Sequence, residues 1–213
     1  ALDAVTIAQI GQYAENVFFG KPCGLMDQTA SSVGGAVAID FADTANPVVR
    51  PIQVDLAGYG HALCIIDSGA DHADLTAEYA AIPQEMKAVA AYFGCEVLRE
   101  VDDSRIWAEM PGLRKAVGDR AVLRALHFFA DDQRVALEAD ALERGDFDAF
   151  LKVVQQSGES SWMYLQNIAP TGAVAEQAMA VALATAGHAL KGRGAYRVHG
   201  GGFAGTIQAF VPD

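Results

Sequence analysis

The sequence predicts an α+β chain, and three observations carry that expectation. Three short strand-like runs, Ala36–Phe41, Val48–Val54 and His61–Asp67, are each rich in apolar or β-branched residues. From about Ser104 to His188 the text is almost wholly helical. Strand patterning then returns at Ala195–His199 and at Thr206–Val211, where Ile207, Ala209 and Val211 alternate onto one side.

Each element has its own signal. Leu2, Val5, Ile10, Tyr13 and Val17 open the chain in a helical pattern, which Gly20 stops. With no initiator Met before this packed-helix pattern, the chain reads as cut from something longer; a mature N-terminus is the alternative. Lys21–Pro22–Cys23–Gly24 is a turn signal, and a short helix follows through Leu25, Met26, Thr29 and Val33 until Gly34–Gly35 breaks it. Leu75, Tyr79, Ile82, Met86, Val89 and Phe93 step by four and three, which puts them on one helical face. Pro83 is expected to kink that helix or restart it. In the long helical region Val122, Leu126 and Phe129 mark a buried stripe, with breaks expected at Gly145–Asp146, Ser157–Gly158 and Pro170–Thr171–Gly172. The natural domain boundary is the Ala57–Gly60 neighbourhood, which gives domains 1–57 and 58–213.

Composition excludes several classes of function. Of 213 residues, 52% are hydrophobic, enough for a sizeable core. A net charge of −12 argues against nucleic acid, because phosphate binding needs concentrated Lys and Arg. No stretch approaches the roughly 20 apolar residues of a membrane span, and no signal peptide opens the chain. Cys23, Cys64 and Cys95 are odd in number and lack CxxC spacing, so they read as free thiols in the cytoplasm, with no zinc site. Asp67, Asp71, His72 and Asp74 read as solvated turn or helix-start residues, and no metal site is expected there.

Two segments carry chemistry. Gly200, Gly202 and Gly205 formally satisfy GxGxxG, but a dinucleotide fingerprint must open a helix, and the residues that follow here alternate as a strand. A strand–loop–strand remains, with glycines that permit positive φ and close approach of backbone to a ligand. A hairpin that uses glycine merely to turn is the alternative; four glycines in six residues exceed what a turn requires. In the second segment, Gly24–Leu25–Met26–Asp27–Gln28 places a carboxylate in the first turn of a helix. The macrodipole alone favours Asp there; the functional alternative is a carboxylate held on a rigid element with open backbone around Gly24.

Gly20–Lys21–Pro22–Cys23–Gly24–Leu25–Met26–Asp27–Gln28 resembles the segment that carries the catalytic aspartate of galactokinases, sugar kinases of the GHMP superfamily. His199–Gly200–Gly201–Gly202–Phe203–Ala204–Gly205–Thr206 resembles the third GHMP motif. Between them, Asp67–Leu75 with Glu78–Tyr79 resembles the sugar-site segment. The resemblance runs in order over essentially the whole chain.

It implies a GHMP kinase fold: the remainder of an N-terminal α+β domain, then a ferredoxin-like C-terminal domain with added helices. It implies transfer of the γ-phosphoryl of MgATP to O1 of α-D-galactose, with Asp27 as catalytic base. Gly24 matches a backbone contact to the sugar, Tyr79 a tyrosine that touches galactose, and Gly200, Gly201, Gly202 and Gly205 the loop around sugar and phosphates. On its own pattern Tyr79 could equally be a core residue. Ala204 stands where the commoner motif has glycine, and its methyl is tolerated only if φ is negative. The family's first motif and its ATP-binding second motif are absent, so the ligands of ATP and Mg²⁺ are expected mainly outside this chain. The fragment is expected to be inactive alone and to self-associate through its uncovered apolar face. A non-catalytic galactose-binding sensor and a GHMP kinase for another sugar are the alternatives.

Overall fold

The computed structural model describes residues 2–20, 23–70 and 75–213. The chain divides into two compact units, Ala1–Asp55 with Leu142–Gly145, and Leu56–Ala141 with Asp146–Asp213.

In the first unit, α1 (Ala4–Tyr13) begins at Asp3, whose carboxylate accepts from the Thr6 N–H at 2.9 Å and from the Thr6 hydroxyl at 2.7 Å. That cap satisfies one of the first-turn N–H groups a helix leaves open. The helix widens into a π-type turn at Ala14–Phe18. Next comes α2 (Met26–Val33), and then β1 (Ala36–Asp40) pairs antiparallel with β2 (Val48–Ile52), Ala36 opposite Ile52.

One expectation for this unit needs correction. Leu2, Ile10, Tyr13 and Val17 are exposed, and the buried residue of α1 is Ala8. The reason is the size of the residues that meet α2. Gly11 faces Gln28, where a Cβ would be in ordinary van der Waals contact with its Cγ at 3.7 Å, and Ala8 is one turn away on the same face. Small residues let the two helices approach, which leaves the large ones on the outside.

The second unit is built on a three-stranded antiparallel sheet of order β3–β5–β4, formed by β3 (His61–Asp67), β4 (Ala195–Val198) and β5 (Thr206–Pro212). Asp67 stands opposite Thr206, and Val198 opposite Ile207. The helices are α3 (Thr76–Tyr92), α4 (Ser104–Ala108), α5 (Met110–Val117), α6 (Asp119–Glu143), α7 (Phe147–Ser160) and α8 (Ala178–Leu190). Helix α7 runs on into a π-type turn, Ser161–Leu165. Val89, Ile106, Leu113 and Val122 form one core among α3 to α6, with Leu126 and Phe129 packed against it as their stripe predicts. Met179 and Leu183 of α8 form another core with Val198 and Ile207 of the sheet. The mixed α+β class is as the sequence predicts.

Of the kink or restart expected at Pro83 the restart does not occur, and neither does the break at Ser157–Gly158. Pro83 lies inside α3 and does not restart it; proline removes one helical hydrogen bond, and the other turns carry the helix on. Ser157–Gly158 is interior to α7. Gly158 is there for packing, because a Cβ would lie 2.7 Å from Arg197 Cβ and 3.0 Å from the Tyr196 carbonyl oxygen. It lets α7 lie against β4. All three cysteines are free, and among the described residues no helix is long and apolar enough to cross a membrane.

Candidate functional site

The glycine-rich loop joins β4 to β5, and the His199 N–H donates to Thr206 O at 3.0 Å to close it as a hairpin. A strand follows the glycines, so the dinucleotide reading is excluded by structure as by sequence. Gly200, Gly202 and Gly205 have φ of 75°, 87° and 87°, and Phe203, which has a side chain, has φ of 61°. Left-handed backbone at such a residue costs roughly 1–2 kcal/mol, so something must hold it. The Phe203 ring is buried beside Leu75 and Ala204, edge-on to Tyr79 at 5.5 Å. Ala204 is not among the positive-φ residues, so its methyl is accommodated without strain.

Tyr79 sits on α3, half-buried, and its hydroxyl donates to Gly202 O at 2.9 Å. Burial pushes its phenol pKa up. A Cβ on Gly201 would lie 2.8 Å from the Tyr79 ring, so the loop packs directly on the tyrosine. Tyr79 is thus both a packing residue and a loop contact, which its stripe position alone could not separate.

Asn167, which the sequence did not single out, reaches the loop from the other side. Its carbonyl accepts from Phe203 N–H at 2.5 Å and its Nδ2 donates to Gly201 O at 3.1 Å. A Cβ on Gly202 would stand 2.1 Å from the Asn167 carbonyl oxygen. Among the described residues, the N–H groups of Gly200, Gly201 and Gly202 donate to no protein acceptor. Consecutive unpaired amides of this kind can bind anionic oxygens.

A polar network supports Asn167 and α3. Arg124 of α6, fully buried, donates to Leu165 O at 3.1 Å and to Glu85 of α3 at 2.8 Å. Burial pulls its guanidinium pKa down, against the opposing pull of Glu85. Arg120 binds both oxygens of Glu85 and donates to Thr171 Oγ1 at 2.9 Å, and the Glu85 pairing pushes its pKa up. Glu78 accepts from Thr171 N–H at 2.6 Å. Of the neighbouring motif, Asp67 accepts from Gly69 N–H at 2.9 Å, whereas Asp71, His72, Ala73 and Asp74 lie outside the described residues.

In the first unit, Asp27 is the second residue of α2 and is exposed, as is Gly24 in the preceding turn. A Cβ on Gly24 would meet nothing within 4 Å. The turn is fastened by side chains of the first helix. Asn16 Oδ1 accepts from Cys23 N–H at 2.8 Å, and Gln12 Nε2 donates to Cys23 O at 3.2 Å. Thr29, fully buried, donates its hydroxyl to Leu25 O at 2.8 Å. Lys21 and Pro22 lie outside the described residues. Also among the described residues, no three His, Cys, Asp or Glu side chains gather into a metal-sized group.

In fold, the chain matches a galactokinase of Lactococcus lactis, solved in complex with galactose, with a TM-score of 0.72 and 20% identity over 99% of this chain and 52% of that one. The match shows that the two share a mixed α+β fold. In sequence, it is 32% identical over 212 residues to the galactokinase of Actinobacillus pleuropneumoniae, covering all of this chain and 52% of that relative. It is 32% identical to that of Mannheimia succiniciproducens over 211 residues, again 52% of the relative, and 33% identical to that of Streptomyces coelicolor over 156. No family model matches. The chain is thus similar over its whole length to galactokinases, and it spans about half the length of the curated relatives it matches.

Proposed function

We propose that this chain is the C-terminal half of a cytoplasmic galactokinase that phosphorylates α-D-galactose at O1 with MgATP. The observation that carries the reading is similarity along the whole chain to galactokinases, with the aspartate segment and the glycine-rich loop both intact. Asp27 takes the proton of the sugar's anomeric hydroxyl. Its place in the first turn of a fastened helix gives it a fixed position, and its exposure leaves it open to a substrate. Gly24 offers its backbone, and Tyr79 the edge of its ring, to the sugar.

ATP supplies the phosphoryl group and Mg²⁺ neutralises its charge. The unpaired amides at Gly200, Gly201 and Gly202 fit anionic oxygens, and the resemblance puts the ligands of Mg²⁺ mainly outside this chain. Because phosphoryl transfer depends on positioning and charge, half the machinery gives no turnover by itself.

The test is a coupled ATP-consumption assay on the longer protein that contains this chain, with galactose and a small panel of sugars. Galactose-dependent turnover is expected, and Asp27→Ala is expected to lower kcat by about 10²–10⁴-fold with the unfolding midpoint unchanged. An Asp27→Ala variant with near-normal kcat would remove Asp27 from the role of base. Galactose binding without turnover in the parent would make it a sensor.

A further inference from the structure

We propose that Asn167 is a positioning residue for the glycine-rich loop, aiming the Gly202 N–H at the anionic group the loop receives. The proposal rests on the kinase reading above for the nature of that group, but not for the geometry.

The peptide between Gly201 and Gly202 is trans, so its C=O and N–H point in opposite directions. Asn167 Nδ2 holds the Gly201 carbonyl at 3.1 Å. The Gly202 N–H is thereby turned away from Asn167. Tyr79 holds the next carbonyl, that of Gly202, at 2.9 Å. The Asn167 main chain holds the N–H of Phe203, the strained residue of the loop, at 2.5 Å. Three successive polar groups of the loop are therefore held, two of them by Asn167 and the Gly202 carbonyl, on the other side of its peptide, by Tyr79.

Asn167 is itself fixed. It is 3% exposed and follows Gln166, whose φ of 57° ends the π-type turn, and Arg124 grips the carbonyl of Leu165 just before it. Glu85 grips Arg124 from α3, the helix that carries Tyr79. One helix thus reaches the loop twice, directly through Tyr79 and indirectly through Glu85, Arg124 and Asn167.

The asparagine has a cost that packing does not explain. Its Oδ1 is buried and has no hydrogen-bond partner among the described residues. An orphaned buried acceptor is destabilising, so an apolar residue would suit a purely structural role better. What asparagine adds is the Nδ2 donor.

The test uses Asn167→Asp, which keeps the shape, and Asn167→Ala. In the 213-residue chain the readout is the carbonyl ¹³C shift of Gly201 by NMR. Ionised Asp cannot donate to Gly201 O, whereas protonated Asp can. The Gly201 signal of Asn167→Asp is expected to depart from wild type at pH 8 and to return towards it as pH falls, while Asn167→Ala departs at every pH. In the longer protein, both variants are expected to lose on the order of 10-fold or more in kcat at pH 8, with KM for galactose unchanged. A wild-type Gly201 signal in Asn167→Ala would overturn the proposal, as would full kcat of that variant in the longer protein at pH 8. If the wild-type parent phosphorylates no sugar but the carbonyl signal behaves as expected, the kinase reading fails and the positioning role stands. Should Asn167→Ala not fold, Asn167→Leu, which keeps the bulk and lacks the donor, is read in its place by the same two criteria.

Discussion

The turn before α2 and the loop between β4 and β5 both depend on glycine, yet they are built in opposite ways. Around Gly24 there is open space, and the backbone is tied by Gln12 and Asn16 side chains from a helix whose larger apolar residues are exposed. Around Gly202 there is none: the Asn167 backbone fills the place of a side chain, and buried groups hold the loop from two directions. The first arrangement presents a carboxylate and tolerates change nearby. The second fixes the direction of backbone amides and tolerates very little.

Substitutions can break this contrast. The largest effect is expected at Gly202→Ala, where a 2.1 Å clash with backbone joins a φ of 87°; a loss of about 3 kcal/mol or more in urea unfolding is expected. A loss below about 1 kcal/mol would mean that the loop is not wedged as described. Asn16→Ala removes an exposed hydrogen bond to the Cys23 N–H, and about 0.5–1 kcal/mol is expected in the same measurement. Gly24→Ala is the smallest, within about 0.5 kcal/mol, since its methyl meets nothing and φ is not positive. If Gly24→Ala cost as much as Gly202→Ala, the contrast between the two segments would be void.

Much of this was legible in the sequence, for reasons that differ by element. The strands could be read because apolar alternation and β-branching are local properties, and His61–Asp67 keeps its expected bounds. The glycine loop could be read because a strand visibly follows it. Asn167 could not, since it lies 34 positions from the carbonyl it binds and no local pattern links them. Its one local trace is that asparagine tolerates tight, capped turns of the kind found after Leu165. Gly158 misled because a glycine in a helical pattern reads as a break, whereas this one admits a neighbouring strand. The first helix misled for the converse reason. Its large apolar residues imitate a core face, and the face that packs is made of residues too small to stand out. Hydrophobic periodicity reports where large side chains recur; it is silent where two backbones meet closely.

The sheet of the second unit has a consequence for how the chain acquires its shape. Asp67 and its partner Thr206 are separated by the whole helical segment, and β5 lies between β3 and β4. Helices with neighbouring partners close their contacts over short distances, but β3 must wait for a strand made much later in synthesis. Until then it carries unpaired backbone groups, and the side chains of Leu63, Ile65 and Ile66 stay exposed even in the folded sheet. The hairpin that carries the glycines closes locally between β4 and β5, so its joining to β3, with the Ser68 N–H donating to Gly205 O at 2.8 Å, is the step that waits for the strand in the middle of the sheet.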